Sequence, residues 1–211
     1  MKKLVNLIAA ISVLLTACTE EKGFNDVYIL VDNTEIRSSN ESLVSTDNLI
    51  DLLGQNGQVT WQIINSVSLN EKKSLSFELP EDATRLQEKK ILKPFKEKLE
   101  IIKGKYLGPV TEASGGSAIY KPLKSILEKW SGEKNKKTLI IVSDMIENSK
   151  FGNFYKPTAV DDVVNNIISS AGELPDDIKN LKIIILYNPQ GDTKKQNQFD
   201  QAMIYWEKLF S

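Results

Sequence analysis

Short apolar segments alternate with longer amphipathic ones along most of this chain. Residues 27–31 and 139–142 are continuous apolar runs, which are typical of strands buried on both faces of a parallel sheet. Residues 59–67 and 74–79 are separated by a short polar stretch, so they predict an antiparallel hairpin at a sheet edge. The run at 183–187 predicts the last strand.

Apolar residues with helical spacing fill the segments between the predicted strands. Pro94 is expected to kink or split the second helix, since proline removes an intrahelical hydrogen bond. Thr158 stands where a capping residue belongs before the fourth helix, and Gly172 closes that helix. The predicted helices cover 47–53, 84–103, 119–130, 160–171 and a final segment that carries Phe199, Met203, Trp206 and Phe210 on one side.

The order of these elements predicts an α/β fold in three layers, with a mostly parallel, Rossmann-like sheet covered on both faces and one antiparallel edge strand. Right-handed crossovers allow the strand order third, second, first, fourth, fifth. The topology then reverses between the first and fourth strands, which is where open α/β sheets bind ligands. Asp32 and Asp144 follow those two strands, so we expect both carboxylates to face one crevice. Trp61, Trp130 and Trp206 fall on core-facing positions and are interpreted as packing residues.

The N-terminus has the pattern of an export signal. Lys2 and Lys3 precede an apolar stretch, residues 4–15, which is too short for a comfortable membrane span. The sequence Leu15-Thr16-Ala17-Cys18 follows and resembles the bacterial lipobox, whose cysteine is acylated after the leader is cut. An ordinary signal peptide with an incidental cysteine is the alternative interpretation.

This pattern predicts a division of the chain into a signal peptide at 1–17, a lipidated tether at 18–25 and one folded domain at 26–211. Acylation of Cys18 would attach the protein to a membrane of the bacterial cell envelope, on its periplasmic or cell-surface face. Cys18 is also the single cysteine of the chain, so we expect the exported domain to be stabilised by its core rather than by disulfides.

Charge and composition exclude several classes of function. The formal net charge is −1, or −3 without Lys2 and Lys3, which predicts no nucleic-acid partner. The chain has no histidine. Histidine-based catalytic triads, histidine general bases and the usual zinc sites are therefore excluded.

Polar residues with hydroxyl side chains accompany the two aspartates. Thr34 lies two residues after Asp32, and Ser117 follows Gly115-Gly116 just before a predicted helix. Ser117 could either cap that helix or point its hydroxyl into the crevice. Two carboxylates and two hydroxyls are hard oxygen ligands, so they favour Mg²⁺ or Mn²⁺ over soft metals.

At this point the chain resembles a von Willebrand factor A-type domain with a metal-ion-dependent adhesion site. Asp32 and Thr34 match the start of that family's Asp-x-Ser-x-Ser loop, Ser117 matches its threonine, and Asp144 matches its last aspartate. The resemblance implies a divalent cation, Mg²⁺ or else Mn²⁺ or Ca²⁺, held by these four residues. In this family the cation completes its shell with a carboxylate from a protein partner, so the resemblance also implies a partner that presents an acidic residue.

The chain departs from this family in two respects. Ile36 occupies the second serine position, and the predicted sheet is one strand short of the usual six. A purely structural role is therefore the alternative to a metal site: Asp32 could cap the following turn, Ser117 could cap a helix, and Asp144 could stabilise a loop. Such a protein would be a metal-independent structural lipoprotein of the envelope.

An enzyme is the third alternative. Haloacid-dehalogenase-like phosphatases also place an aspartate after the first strand and use Mg²⁺, but they need a second aspartate two residues later, where this chain has Thr34. Glu147 could touch the crevice, yet no obvious general base replaces that aspartate. We therefore expect a binding protein rather than an enzyme.

The segment 85–105 has eight basic and three acidic residues. This charge could rest on anionic lipid headgroups, because a lipid anchor would keep the domain close to them. A charge run on an amphipathic helix is more often a solvated face, and the sequence favours that simpler interpretation.

Overall fold

The computed structural model describes residues 24–35, 37–64, 71–112, 115–156 and 159–211. Its five strands form one sheet in the order β3-β2-β1-β4-β5, and all neighbours are parallel except β2 and β3. Both the predicted strand order and the antiparallel edge hairpin are confirmed. The strands are β1 (Asn25–Asp32), β2 (Asn56–Ile64), β3 (Lys72–Glu78), β4 (Lys136–Val142) and β5 (Leu181–Leu186).

The described residues include five α-helices, and their side chains form two separate apolar clusters on opposite faces of the sheet. One cluster joins α1 and α2 to residues such as Ile29 and Val31, and the other joins α3, α4 and α5 to residues such as Leu30 and Ile141. These clusters confirm an α/β fold with a three-layer, Rossmann-like arrangement. The helices are α1 (Thr46–Leu53), α2 (Arg85–Leu107), α3 (Tyr120–Trp130), α4 (Val160–Ala171) and α5 (Thr193–Phe210).

The three tryptophans lie in these cores, as predicted. Trp61 packs between the sheet and α2, where its ring lies 5.9 Å from that of Tyr106. Trp130 and Trp206 are buried on the other face, and the Trp206 Nε1 donates a 2.7 Å hydrogen bond to the carbonyl of Met145. Because Met145 follows directly on Asp144, this bond attaches α5 to the loop after β4.

The second helix is not split at Pro94, which was one of the two predicted effects of that proline, and it ends later than predicted. It runs without a break through Pro94 and extends to Leu107. Thr84 begins it with a capping box, in which Gln87 bonds back to the Thr84 backbone. The buried face formed by Phe95 and Leu99 continues directly beyond the proline, so packing on the sheet holds the helix together where local propensity predicts a break.

Several sequence predictions fall outside the described residues. They are the signal peptide at 1–17, the acylation of Cys18, the end of the second predicted strand at 65–67, the cap at Thr158 and the missing hydroxyl ligand at Ile36. The first strand begins at Asn25, one residue inside the predicted tether. Within the described residues, none of the helices combines the length and the apolar character that crossing a bilayer requires.

Candidate functional site

The end of β1 brings three hydroxyl groups to one carboxylate. The Oδ1 of Asp32 accepts hydrogen bonds from the Thr34 amide at 3.0 Å and the Thr34 hydroxyl at 2.7 Å. Its Oδ2 accepts from Ser117 at 2.6 Å and from Ser143 at 2.9 Å. Since a carboxylate offers about four lone-pair positions, these donors occupy the whole of it. Asp32, Thr34 and Ser117 therefore meet as the sequence predicts.

Ser143 is a site residue that the sequence interpretation missed. Strand register places it there: Val31 of β1 pairs with Val142 of β4, so the next residues along the two strands, Asp32 and Ser143, lie opposite each other. The Ser143 hydroxyl also accepts a 2.9 Å hydrogen bond from the Met145 amide. It therefore connects the loop after β4 to the carboxylate after β1.

Asp144 lies at the same cleft as Asp32. Its Oδ1 accepts a 3.0 Å hydrogen bond from the Ile146 amide, which favours the charged form. Burial outweighs that bond, and together with the negative charges of Asp32 and Glu35 it raises the pKa of Asp144 to about 7. Asp144 therefore holds its proton more tightly than a solvent-exposed aspartate does.

The cleft is small and mostly polar. Its volume is about 60 Å³, which corresponds to about two water molecules and is well below the several hundred Å³ of an organic-ligand pocket. Glu35 and Lys195 stand at its rim, and their charged groups lie 3.5 Å apart. The Tyr155 hydroxyl donates to Glu35 at 3.3 Å. A space of this size can admit an ion or the tip of a side chain.

Arg37 fixes the loop that follows β1. Its guanidinium donates to the backbone carbonyl of Asp32 and, at 2.5 Å, to the side-chain oxygen of Asn33. Its backbone pairs with Val110 through hydrogen bonds of 3.1 and 3.0 Å. Burial lowers the pKa of Arg37, although Asp32 opposes that effect. The loop is thus attached to the segment that leaves α2, and Asp32 is held from its backbone as well as from its carboxylate.

Ser117 does not cap the third helix, because Glu147 does. The Glu147 Oε2 accepts hydrogen bonds from the amides of Ile119 at 2.7 Å and Tyr120 at 2.8 Å, at the start of α3. Glu147 is fully buried, so the suggestion that it could touch the crevice is wrong. Its remote capping leaves the Ser117 hydroxyl available to Asp32.

The glycines before Ser117 bring two loops together. A Cβ on Gly116 would lie 2.2 Å from the carbonyl oxygen of Asn148, so only glycine fits there. The Asn148 amide in turn donates to the Ser117 carbonyl at 2.7 Å. This close approach positions Ser117 against the loop after β4, and with it the hydroxyl that reaches Asp32.

The predicted ligands do not include enough carboxylates to hold a metal alone. Within the described ranges, no three acidic, histidine or cysteine side chains come together in a group that could bind a metal ion. Any cation here would therefore depend on hydroxyl oxygens beside Asp32 and Asp144. No protein-family model matches this chain, and no match was found among curated proteins.

Proposed function

We propose that this protein is a lipid-anchored binding protein of the bacterial envelope, and that its cleft holds a divalent cation through which it binds an acidic side chain of a protein partner. The observation that carries the proposal is the set of three hydroxyls bonded to Asp32, together with the cleft that Asp32 and Ser143 line with Asp144. Membrane attachment would come from Cys18, and the cleft has a binding role rather than a catalytic one.

The hydroxyl groups suit this role because of the way they are held. A hydroxyl has one proton and two lone pairs. Thr34, Ser117 and Ser143 each give the proton to Asp32, and each therefore keeps lone-pair density for a cation. The Asp32 carboxylate lies behind them and supplies negative charge to the site. Mg²⁺, Mn²⁺ and Ca²⁺ all prefer such oxygen ligands.

The resemblance to a von Willebrand factor A-type domain supports the same arrangement. Asp32, Thr34, Ser117 and Asp144 correspond to four of that family's site positions, and the cleft lies between β1 and β4, where the family places its cation. A partly dehydrated dication in a crevice attracts an anionic oxygen strongly. A cleft of about 60 Å³ has room for a cation and the carboxylate of one glutamate or aspartate.

Thermal unfolding, followed by circular dichroism, tests the cation. The described core residues lie between Val27 and Leu209, so a chain starting at Cys18 with Cys18→Ser keeps both cores and avoids acylation. We expect Mg²⁺, Mn²⁺ or Ca²⁺, added after a chelator, to raise the Tm. A cation at about a hundred times its Kd adds about 2.7 kcal/mol, which corresponds to about 5–10 °C for a domain of this size.

Substitutions in the cleft test whether the cation-induced rise in Tm comes from this site. Asp32→Ala should abolish it, and Ser143→Ala should reduce it because one hydroxyl is lost. Asp51→Ala is the matched control, since Asp51 is exposed on α1, and it should leave the rise unchanged. A rise that survives Asp32→Ala would place the cation elsewhere and refute the assignment.

One observation favours a second candidate, a structural lipoprotein that needs no metal. Asp32 already receives four hydrogen bonds, so the site is satisfied as a polar link between β1, β4 and α3. This alternative predicts that none of the three cations changes the Tm. It also predicts that Asp32→Ala destabilises the domain equally with chelator and with cation.

A further inference from the structure

The outward face of α2 combines positive charge with exposed apolar side chains. Leu86 is 64% exposed and Ile101 is 72% exposed, more than any other large hydrophobic residue in the described part of the chain. They lie fifteen residues apart, about 22 Å along a helix, and a helical repeat places both on the side opposite Phe95 and Leu99. Two single apolar residues this far apart do not form a continuous patch, so what this face can contact depends on the charged side chains around them.

The basic residues of α2 divide into two groups. Lys96 pairs with Asp47, Lys103 with Glu100, and Lys105 with Glu71. The second group is exposed, and no ion pair joins any of its members to another described residue. This second group, which we call the α2 basic face, consists of Arg85, Lys89, Lys90, Lys93 and Lys98.

We propose that the α2 basic face docks on an anionic lipid bilayer, with Leu86 and Ile101 entering the headgroup region. Helices that lie in a membrane interface carry Lys and Arg on their polar face. The outward polar face of α2 carries the five residues of the α2 basic face, and it also carries Glu97 and Glu100, which pairs with Lys103. The occupant is fixed by charge complementarity, because anionic headgroups attract each nearby lysine or arginine. The proposal rests on the proposed lipid anchor for bringing the domain to the membrane, and it is independent of a cation in the cleft.

The connectivity of the sheet agrees with this orientation. Asn25 begins β1, and it pairs with Gly57 near the start of β2. The last residue of β3, Glu78, pairs with Asn56, so β3 finishes at this same end of the sheet. The helix α2 follows β3 and therefore begins near the point where the chain enters the domain. The far end of α2 reaches the site loop, where the Arg37 guanidinium donates to the Tyr106 carbonyl at 3.4 Å.

The tether is short enough to keep this face near the bilayer. Seven residues, 18–24, span at most about 25 Å when fully extended. Because α2 runs from one end of the strands to the other, docking along its length would place the strands parallel to the membrane surface. The cleft at the end of β1 would then open along the membrane rather than away from it, toward partners at the same surface.

Sedimentation with lipid vesicles tests the proposal. The probe is the chain from Cys18 with Cys18→Ser, mixed with vesicles of phosphatidylglycerol and phosphatidylcholine or of phosphatidylcholine alone. We expect binding to the anionic vesicles, weaker binding at high salt because of screening, and no binding to the neutral vesicles. Equal binding to both vesicle types, or none to either, overturns the proposal. Binding to a DNA duplex as tight as to the vesicles would overturn it as well, since it would show only a general polyanion site.

Charge variants locate the surface. The combined variant Lys89→Gln, Lys90→Gln, Lys93→Gln and Lys98→Gln should weaken vesicle binding at least tenfold. A matched control removes the same charge from exposed lysines elsewhere and should weaken binding less than threefold. An equal loss in the two combinations would refute the α2 basic face. The control combination is Lys134→Gln, Lys150→Gln, Lys179→Gln and Lys194→Gln.

Apolar and cleft variants separate this proposal from the others. Leu86→Ser with Ile101→Ser should weaken binding several-fold, whereas Ile204→Ser, at a 53% exposed position on α5, should not. Unchanged binding in the double variant would overturn the insertion of these side chains. Failure of the cation site shows in the Tm and failure of membrane docking shows in the sedimentation, so the two give different results.

Discussion

Replacing Glu147 should show how a buried carboxylate holds the third helix and the site loop before it. Glu147→Ala removes the acceptor for the amides of Ile119 and Tyr120. Each buried amide without a partner costs about 1–3 kcal/mol, so the expected loss in free energy of unfolding is about 3 kcal/mol. For a domain of this size that loss lowers the Tm by about 6–12 °C.

Glu147→Gln separates hydrogen bonding from charge. Burial raises the pKa of Glu147 despite its hydrogen bonds, so the ionised form is disfavoured in the folded state relative to water. The stability that protonated Glu147 provides is therefore present at low pH and is lost as the pH rises through its raised pKa. Glutamine keeps an oxygen for the helix amides and does not titrate. We expect Glu147→Gln to lie within about 1 kcal/mol of the natural chain at pH 5, and to gain on it at pH 8.

Urea unfolding at pH 5 and pH 8, followed by circular dichroism and tryptophan fluorescence, measures these differences. The control is Glu128→Ala on the same helix, since Glu128 is exposed and its ion pair among the described residues is with Lys124 at 3.5 Å. It should cost no more than about 0.5 kcal/mol. A Glu147→Ala variant within 1 kcal/mol of the natural chain would refute the capping role. A glutamine variant as unstable as the alanine variant would show that the charge, rather than the acceptor, stabilises the helix.

Two further predictions concern the loop after β4. Burial raises the pKa of Asp144 from 3.8 to about 7. With chelator present, the free energy of unfolding of the natural chain should therefore fall by at most about 2 kcal/mol, relative to that of Asp144→Asn, between pH 5.5 and 8. The stability falls as the pH rises because the folded state holds the proton more tightly than the unfolded chain. Urea unfolding at several pH values measures this, and the same pH dependence of the free energy of unfolding in both chains would contradict it. Trp206→Phe removes the donor to the Met145 carbonyl and should cost about 1–3 kcal/mol, whereas Phe210→Leu, at a 39% exposed position on the same helix, should cost less; equal changes in the Tm would contradict that role.

The strand order and the meeting of Asp32 with Ser117 could be predicted because both follow from topology. Apolar runs identified β1 and β4, and right-handed crossovers made them neighbours, so residues just beyond both strands had to meet. The role of Ser143 required the register between Val31 and Val142. Apolar runs do not fix that register to a single residue, since a continuous run has no alternation to set it.

Other features depended on contacts distant in sequence. Glu147 caps a helix that begins 27 residues earlier, so no local capping pattern marks it. Arg37 bonds across 69 residues to the Tyr106 carbonyl, and its sequence context is that of an ordinary loop residue. The continuity of α2 through Pro94 depends on tertiary packing, which overrides a local preference worth about 3 kcal/mol.

The strand that begins where the tether ends is also the strand that finishes at the cleft. The eight residues of β1 make it a rigid spacer of about 25 Å. If the protein is anchored as proposed and α2 lies on the lipid, the domain can rotate about its attachment point while the cleft stays at a fixed distance from it. Any partner fixed in the same bilayer would then meet it by diffusion in two dimensions. The tether length would set the effective concentration of that encounter, so adding residues after Cys18 would lower it without changing a single contact in the cleft.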